Sequence, residues 1–345
     1  MLPNNNSQEN LKLETDVLII GAGPVGIFAA FHAGLLGMKS IVVDALEEIG
    51  GQLSTLYPNK YIYDIPGFPK ILAKDLILEL QKQAEQYSPT YLLNQKADKL
   101  IKNEGNFTVT TSKNNTIIAK AIIIAGGAGA FKPQRLPLSG IENFEHETVL
   151  YSVTEPNMFK DKTVVIIGGG DSAVDWAIHL SNNIASKVYL VHRRNHFRAL
   201  PASVANLEEL NKQSHFELVV PYGAKAINGN NNQVTQIVLE HFLNKEQKVI
   251  DTDFVLPFFG LARDLGGIST WGLDIDKINS TILVNQATYE TNIEGVFAVG
   301  DIARYEHKLK LIMVGFSEVS YALHAAWKYV FPNKIYRFVH STSKH

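Results

Sequence analysis

The chain has 345 residues, of which 46% are hydrophobic and 19% charged, and its formal net charge is −2 at pH 7. These values are typical of a globular protein with two domains of ordinary size, and they exclude a global basic field for nucleic acid. The sequence contains no cysteine, which excludes disulfides, thiolate-bound zinc, iron–sulfur clusters and a dithiol redox centre built from this chain.

The polar stretch at residues 1–14 lacks the apolar segment of a signal peptide. No run of 18 apolar residues occurs in the chain, so we expect no transmembrane helix. By default, these features predict a cytoplasmic enzyme with a loose N-terminal tail.

The first structural signal is a strand, a glycine-rich turn and a helix at residues 16–37. The apolar run Val17–Ile20 predicts a buried parallel strand. The letters that follow, GAGPVG, match G-x-G-x-x-G and include Gly21, Gly23, Pro24 and Gly26. In this pattern the first glycine allows a tight turn, the second lets backbone N–H groups approach a diphosphate, and the third lets the helix pack closely on the sheet. Asp44 ends the next apolar strand, where a carboxylate can accept hydrogen bonds from ribose hydroxyls, so the unit predicts a dinucleotide site.

Residues 45–70 form a connection too long for an ordinary loop and rich in glycine, proline and tyrosine. The residues alone leave two interpretations open: a functional loop that presents flat aromatic faces, or a packed surface loop with its aromatics in the core. An amphipathic helix is predicted at residues 74–87. Short strands at residues 95–102, 107–111 and 116–119 predict a β-meander, and residues 121–125 predict another buried strand.

The opening pattern repeats after residue 161. An apolar run at residues 163–167 precedes GGGDSA, which matches G-x-G-x-x-A and includes Gly168, Gly170, Asp171, Ser172 and Ala173. The next strand, residues 187–191, ends in a basic segment with Arg193, Arg194 and Arg198 rather than in an acid. Arginines at this place accommodate the 2′-phosphate of NADP, although a solvated basic loop is the alternative. Two such sites in one chain are most simply those of a flavoprotein that takes hydride from NADPH.

The last third of the sequence predicts a meander at residues 216–252 and an apolar strand at residues 254–260 that returns to the first domain. Residues 295–299 predict a buried strand ending in Gly300 and Asp301. An acid there, near a helix starting at about residue 312, can bind a ribityl hydroxyl; a generic strand and turn is the alternative. Residues 302–345 carry seven Lys or Arg and two acids, and this excess predicts an acidic acceptor protein, with a scattered solvated face as the alternative.

The motifs GAGPVG, GGQL, GGGDSA, HRRNHFRA and GVFAVGD together resemble the low-molecular-weight thioredoxin reductases over residues 15–342. That family has C-x-x-C before its second glycine-rich motif, whereas residues 150–156 here are LYSVTEP. The chain is therefore most similar to the thioredoxin-reductase-like ferredoxin/flavodoxin–NADP reductases. Those proteins lack the dithiol and share GGQLxxLYPxKYIYD, here residues 50–64, and a C-terminal HSTS, here residues 340–343.

The resemblance implies how FAD is bound. Its implied contacts are Asp44 at the adenosine ribose, Ala97 by its backbone at the adenine, Phe131 lining the site, Asp301 at the ribityl chain, Gln52 and Tyr57 at the flavin with Tyr57 stacked on one face, His340 stacked on the other face, and Thr342 near the reactive edge. It also implies a homodimer with no metal and no catalytic acid or base, because hydride passes directly from nicotinamide to flavin N5.

We therefore expect an α/β fold with two Rossmann-like dinucleotide-binding domains of three ββα layers. An NADPH domain at residues 131–252 is inserted into an FAD domain formed by residues 1–130 and 253–345. The expected function is electron transfer between NADPH and ferredoxin or flavodoxin, with no nucleic-acid or membrane partner. The alternatives are an NADPH-dependent flavin monooxygenase and a non-catalytic, nucleotide-binding redox sensor.

Overall fold

The computed structural model describes residues 10–345, except residues 128, 130, 131, 154, 263, 339, 341 and 343–345. The chain divides into two compact units, of which the first comprises residues 1–131 and 263–345 and the second residues 132–262.

Six α-helices are present in the described residues: α1 (Pro24–Leu35), α2 (Gln52–Thr55), α3 (Ala73–Glu85), α4 (Asp171–Ser181), α5 (Pro201–Leu210) and α6 (Ile312–Val330). Short 3₁₀ helices lie at Ile141–Asn143, Pro156–Phe159, Gly266–Thr270 and Gly300–Ile302. In chain order the strands are β1 (Lys12–Ile20), β2 (Ser40–Val43), β3 (Tyr61–Ile62), β4 (Ile71–Leu72), β5 (Thr90–Leu92), β6 (Ala97–Lys102), β7 (Phe107–Thr111), β8 (Thr116–Ile124), β9 (Lys132–Pro133), β10 (Thr163–Ile167), β11 (Lys187–Val191), β12 (Phe216–Val219), β13 (Tyr222–Asn230), β14 (Gln233–His241), β15 (Gln247–Asp251), β16 (Phe254–Pro257), β17 (Leu261–Ala262), β18 (Ile275–Asp276), β19 (Thr281–Leu283), β20 (Val296–Ala298) and β21 (Ala303–Arg304).

The first unit is built on a seven-stranded sheet in the order β5-β2-β1-β8-β7-β6, with β20 also paired to β8. Strand β1 runs parallel to β2 and β8, and its residues Val17–Ile19 have no exposed surface. An apolar strand with helices on its flanks is expected when both faces of a sheet are covered. Ala29, Ala30 and Ala33 of α1 are fully buried, so the small residues of this helix allow it to pack closely on the sheet.

Strand β8 corrects one detail of the predicted meander. The sequence suggested two strands separated at Lys120, but β8 runs without interruption from Thr116 to Ile124. Its first half pairs antiparallel with β7 and its second half parallel with β20. Lys120 does not break the strand because its ammonium group reaches the carboxylate of Asp16 at 2.7 Å on the surface.

The second unit contains a parallel sheet, β12-β11-β10-β16, and an antiparallel sheet, β13-β14-β15. The buried cores of the two units therefore each include a parallel sheet with a glycine-rich turn after its central strand, and the α/β class with two Rossmann-like domains is confirmed. Within the parts of the chain that the structure describes, no helix is both long and apolar enough to cross a membrane.

The expectation that residues 254–260 return to the first domain is wrong. Strand β16 pairs parallel with β10, from Val164 opposite Phe254 to Ile167 opposite Pro257, so it completes the sheet of the second unit. The boundary consequently lies at residues 262 and 263 rather than at residue 253. Two short strands mark the ends of this unit: β9 and β17 pair antiparallel, with Pro133 opposite Leu261.

Candidate functional site

The first glycine-rich turn has the geometry that the sequence predicts. Gly21 has φ = +108°, and a β-carbon on it would lie 2.5 Å from the carbonyl oxygen of Ala125. A β-carbon on Gly26 would lie 1.8 Å from the carbonyl oxygen of Gly21, so only glycine fits at this position in the first turn of α1. Gly23 differs, because no atom lies within 4 Å of where its β-carbon would be. The turn thus leaves its central face open beside the free N–H groups of α1, which starts at Pro24.

Asp44 is bound to this turn. Its carboxylate accepts a hydrogen bond from the Ala22 N–H and another, 2.8 Å long, from the Leu46 N–H. Burial raises the pKa of Asp44, against the opposing effect of these backbone donors. The Gln95 N–H donates to the Asp44 carbonyl at 2.9 Å, which brings the start of β6 at Ala97 to the same edge of the sheet. Asp44 and Ala97 are therefore placed together, and their contacts with a bound nucleotide stay predictions.

The long loop lies against the first turn. The Gly50 N–H donates to the Ala22 carbonyl at 2.8 Å, and a β-carbon on Gly51 would lie 3.0 Å from Cα of Gly23. Gln52 opens α2, and its Nε2 lies 3.7 Å from where a β-carbon on Gly127 would be. Three further aromatics of the loop are exposed rather than in the core: Tyr61, Tyr63 and Phe68. These three rings therefore do not belong to the core, and the functional role of the loop stays a prediction.

The charge of Asp301 acts on the Tyr57 hydroxyl. The pKa of Tyr57 is raised to about 12, mainly by burial and also by the negative charge of Asp301. Asp301 lies in the 3₁₀ turn Gly300–Ile302, and the side chain of Val25 in the glycine-rich motif packs on this turn. Segments remote in sequence thus converge around the start of α1.

The second glycine-rich turn holds its basic segment by the backbone. The Arg198 N–H donates to the Gly169 carbonyl at 2.7 Å. A β-carbon on Gly169 would lie 2.2 Å from the His192 ring. Gly170 resembles Gly23 in that the nearest atom to its β-carbon position, the Arg198 carbonyl oxygen, is 3.9 Å away. Both turns therefore offer the open glycine face and helix N-terminus that a dinucleotide diphosphate requires.

The charge of the basic segment acts on His192. Burial lowers the pKa of His192, and the neighbouring cations lower it further, with Arg193 and Arg194 ahead of His196 and Arg198. A concentrated positive field at the end of β11 suits the 2′-phosphate of NADP.

The residues that begin α4 differ in their surroundings. Asp171 accepts a hydrogen bond from the Leu200 N–H at 3.1 Å, Ser172 is exposed and Ala173 is fully buried. Asp171 therefore binds the chain that follows the arginines, and its role toward NADPH stays a prediction together with that of Ser172.

The C-terminal tail packs along α6. The ring of His340 meets that of Phe338 edge-on at 5.0 Å between centroids, and Phe338 lies 5.9 Å from His324 of α6. His340 and Thr342 are exposed. Their placement at the flavin therefore stays a prediction, and Phe131 lies outside the described residues.

Sequence reasoning missed a buried ionic cluster beside this site. Glu318 of α6 has no exposed surface and pairs with Lys308, whose side chain is 2% exposed. Both residues were counted in the C-terminal segment, and because their charges cancel, six cations and one acid remain and the excess of five positive charges is unchanged. The available signal was the position of Glu318 on the same helical face as Ala322 and Ala326, which are fully buried.

Among the described residues, no group of three or more His, Asp or Glu side chains is arranged to hold a metal ion.

The known proteins that are similar to this chain are oxidoreductases of the nucleotide-dependent kind. Residues 15–325 match the family described as pyridine nucleotide-disulphide oxidoreductase. A ferredoxin–NADP reductase of Rickettsia rickettsii (strain Iowa) is 50% identical over 330 residues, covering 96% of each chain. That of Rickettsia prowazekii (strain Madrid E) is 47% identical over 331 residues, covering 96% of this chain and 98% of the relative.

Solved structures share the fold. The thioredoxin reductase of Lactococcus lactis in its FR conformation has a TM-score of 0.80 at 24% identity, covering 92% of this chain and 99% of that one. The thioredoxin reductase of T. acidophilum has a TM-score of 0.79 at 24% identity, covering 91% and 98%. The present chain has no cysteine, so it cannot form a disulfide redox centre of its own.

Proposed function

This chain belongs to the pyridine nucleotide-disulphide oxidoreductase family and is an oxidoreductase that uses FAD and NADP, and from this we propose that it is a ferredoxin–NADP reductase. The observation that supports the proposal most is the basic segment 193–198, which is fixed to the second glycine-rich turn where NADP requires a cation. The curated relatives that bear this name align with nearly the whole chain.

When bound, FAD supplies the redox chemistry, accepting two electrons as hydride from NADPH and releasing them one at a time. The protein holds and orients the two nucleotides. The first turn, with Asp44 and Ala97, holds the adenosine half of FAD, while Gln52, Tyr57 and Asp301 hold the flavin half. The second turn and its arginines hold NADPH.

No proton has to be transferred by a side chain in this proposal, and the contribution of the protein is therefore positioning. Tyr57 is suited to a neutral stacking role, because burial and Asp301 raise its pKa to about 12. We propose that His340 covers the other flavin face and that Thr342 lies near its reactive edge. Phe131 is proposed to line the same site.

Ferredoxin and flavodoxin are both proposed acceptors. Stopped-flow and steady-state assays with NADPH and each acceptor side by side test this. We expect fast reduction of at least one, with NADH far less effective. Steady oxidation of NADPH by a dye with neither protein reduced would overturn the assignment of the acceptor. The homodimer, the cytoplasmic location and the lack of a membrane partner stay predictions.

A further inference from the structure

A buried cluster joins three segments behind the proposed flavin site. Both oxygens of the Glu318 carboxylate are used: Oε2 accepts from the Gly300 N–H at 2.6 Å, and Oε1 accepts from the Tyr305 hydroxyl at 2.6 Å. Oε1 also accepts from Nζ of Lys308. The cluster therefore connects helix α6, the 3₁₀ turn at Gly300 and the loop that follows β21.

The three groups around Glu318 explain why a carboxylate is needed there. A backbone N–H and an ammonium group can only donate, and the Tyr305 hydroxyl here also donates. Only an ionised carboxylate accepts from all of them, whereas a glutamine would turn an NH₂ group toward another donor. Lys308 supplies the compensating charge, which a buried carboxylate requires.

The contacts of the turn show what Glu318 positions. Gly300 has φ = +75°, and the Val25 side chain lies 3.5 Å from where its β-carbon would be. Gly315, one helical turn before Glu318, meets the same Val25: a β-carbon there would lie 2.5 Å from Cγ2. The Gly300 hydrogen bond thus fixes a close approach between the first turn of α6, the start of α1 and the segment that carries Asp301.

We propose that Glu318, with Lys308 as its counter-ion, is a positioning residue that holds the Gly300–Asp301 turn against α6 in the geometry that FAD binds. Glu318 acts through the backbone of Gly300 and does not itself touch the cofactor. The inference rests on the role in FAD binding proposed above for Asp301, and it is independent of which protein accepts the electrons.

The test compares E318Q, K308M and the double variant E318Q/K308M. In E318Q the amide opposes at least one donor, so we expect the FAD dissociation constant to rise about tenfold or more. K308M leaves the carboxylate without its counter-ion, and we expect a rise of similar size. In the double variant the Gln carbonyl can accept from Gly300 while its NH₂ donates to the Tyr305 oxygen. We therefore expect recovery to within about threefold of the parent value.

Glu290 provides the matched control. Its Oε1 also accepts from a backbone N–H, that of Gly295 at 2.9 Å, and from a tyrosine hydroxyl, that of Tyr329 at 2.5 Å. Because both donors share one oxygen, a glutamine could keep both hydrogen bonds, and the control is therefore E290A, which removes them; their donors, Gly295 and Tyr329, lie outside the Gly300–Ile302 turn. We expect its thermal stability to fall while its FAD dissociation constant stays within about twofold of the parent value.

Two measurements on the full chain are made for each variant: the melting temperature of the apoprotein, and FAD titration followed by flavin fluorescence and visible absorption. A merely structural cluster would lower the melting temperature of E318Q and E290A alike and leave both dissociation constants unchanged, which would overturn the proposal. Failure of the double variant to recover FAD affinity would overturn it as well.

If E318Q or K308M does not fold, Y305F removes only one donor, and a rise of about two- to tenfold in the dissociation constant is expected; an unchanged value would count against the proposal. Because neither NADPH nor an acceptor protein enters these measurements, they can succeed or fail independently of the ferredoxin assay.

Discussion

Replacing Arg193 with alanine should raise the KM for NADPH and leave the KM for NADH nearly unchanged. Of the cations that lower the pKa of His192, Arg193 has the largest effect. Its charge therefore belongs to the positive field that is expected to hold the 2′-phosphate. NADH has no such phosphate, and a contact with this group should therefore affect NADPH alone.

The size of the effect follows from the kind of contact and its exposure. A hydrogen bond between charged groups contributes about 1.5–3 kcal/mol, which corresponds to roughly a ten- to hundredfold change in binding. Arg193 is exposed, and screening by salt and water favours the lower end of that range. We therefore expect the KM for NADPH to rise about tenfold in R193A and the KM for NADH to change less than about twofold.

Steady-state reduction of a dye acceptor at fixed ionic strength measures both constants without a partner protein. K212A is a matched control, because Lys212 is an exposed cation of the same unit and pairs instead with Glu209 at 2.7 Å; it should change neither constant. An equal rise for NADPH and NADH in R193A would show a general disturbance of the site. An unchanged KM for NADPH would place the phosphate elsewhere.

The other predictions concern the cofactor turn, acid stability and the C-terminal tail. G26A should lose FAD, since its β-carbon would lie 1.8 Å from the Gly21 carbonyl oxygen; a yellow protein with the full flavin absorbance would contradict this. Burial, and secondarily His324, lowers the pKa of His32 to about 4. As the pH falls, the unfolded chain therefore binds a proton at His32 at a higher pH than the folded chain does. Unfolding free energy should therefore fall by about 2–3 kcal/mol between pH 6.5 and pH 4, and urea titrations should show a flatter profile for H32F. Deleting residues 340–345 should leave FAD bound and hydride transfer no slower in stopped flow, but should increase peroxide production; unchanged oxygen reactivity would refute a covering role for His340.

Local signals predicted the two nucleotide turns well, because the spacing of their glycines indicates where the backbone must pack closely, as at Gly21 and Gly26, and where it must stay open, as at Gly23. Gly21 and Gly26 must lack side chains for the strand, turn and helix to meet, and this constraint is written into a spacing of a few residues. The meander at β6–β8 followed from similarly local patterns.

The errors concern pairing between distant segments. The sequence FVLP of β16 reads equally well as a buried strand of either domain, and only its register with β10 assigns it to the second unit. Likewise, Lys308 and Glu318 look like surface charges until the fold buries them against each other. Hydrophobic periodicity indicates which residues are buried, but it does not show which residue supplies the opposite charge to a buried ionised side chain.

The short antiparallel pair formed by β9 and β17 has a consequence for how such a gene can change. It brings the first and last residues of the second unit side by side, while Gly129 and Asp264 of the first unit form a bridge of their own. A segment whose two ends lie side by side can be inserted, exchanged or removed as one unit during evolution, because the surrounding chain is interrupted at only one place. Recombination at these borders could therefore substitute a module of different coenzyme preference while leaving the path of the surrounding chain intact.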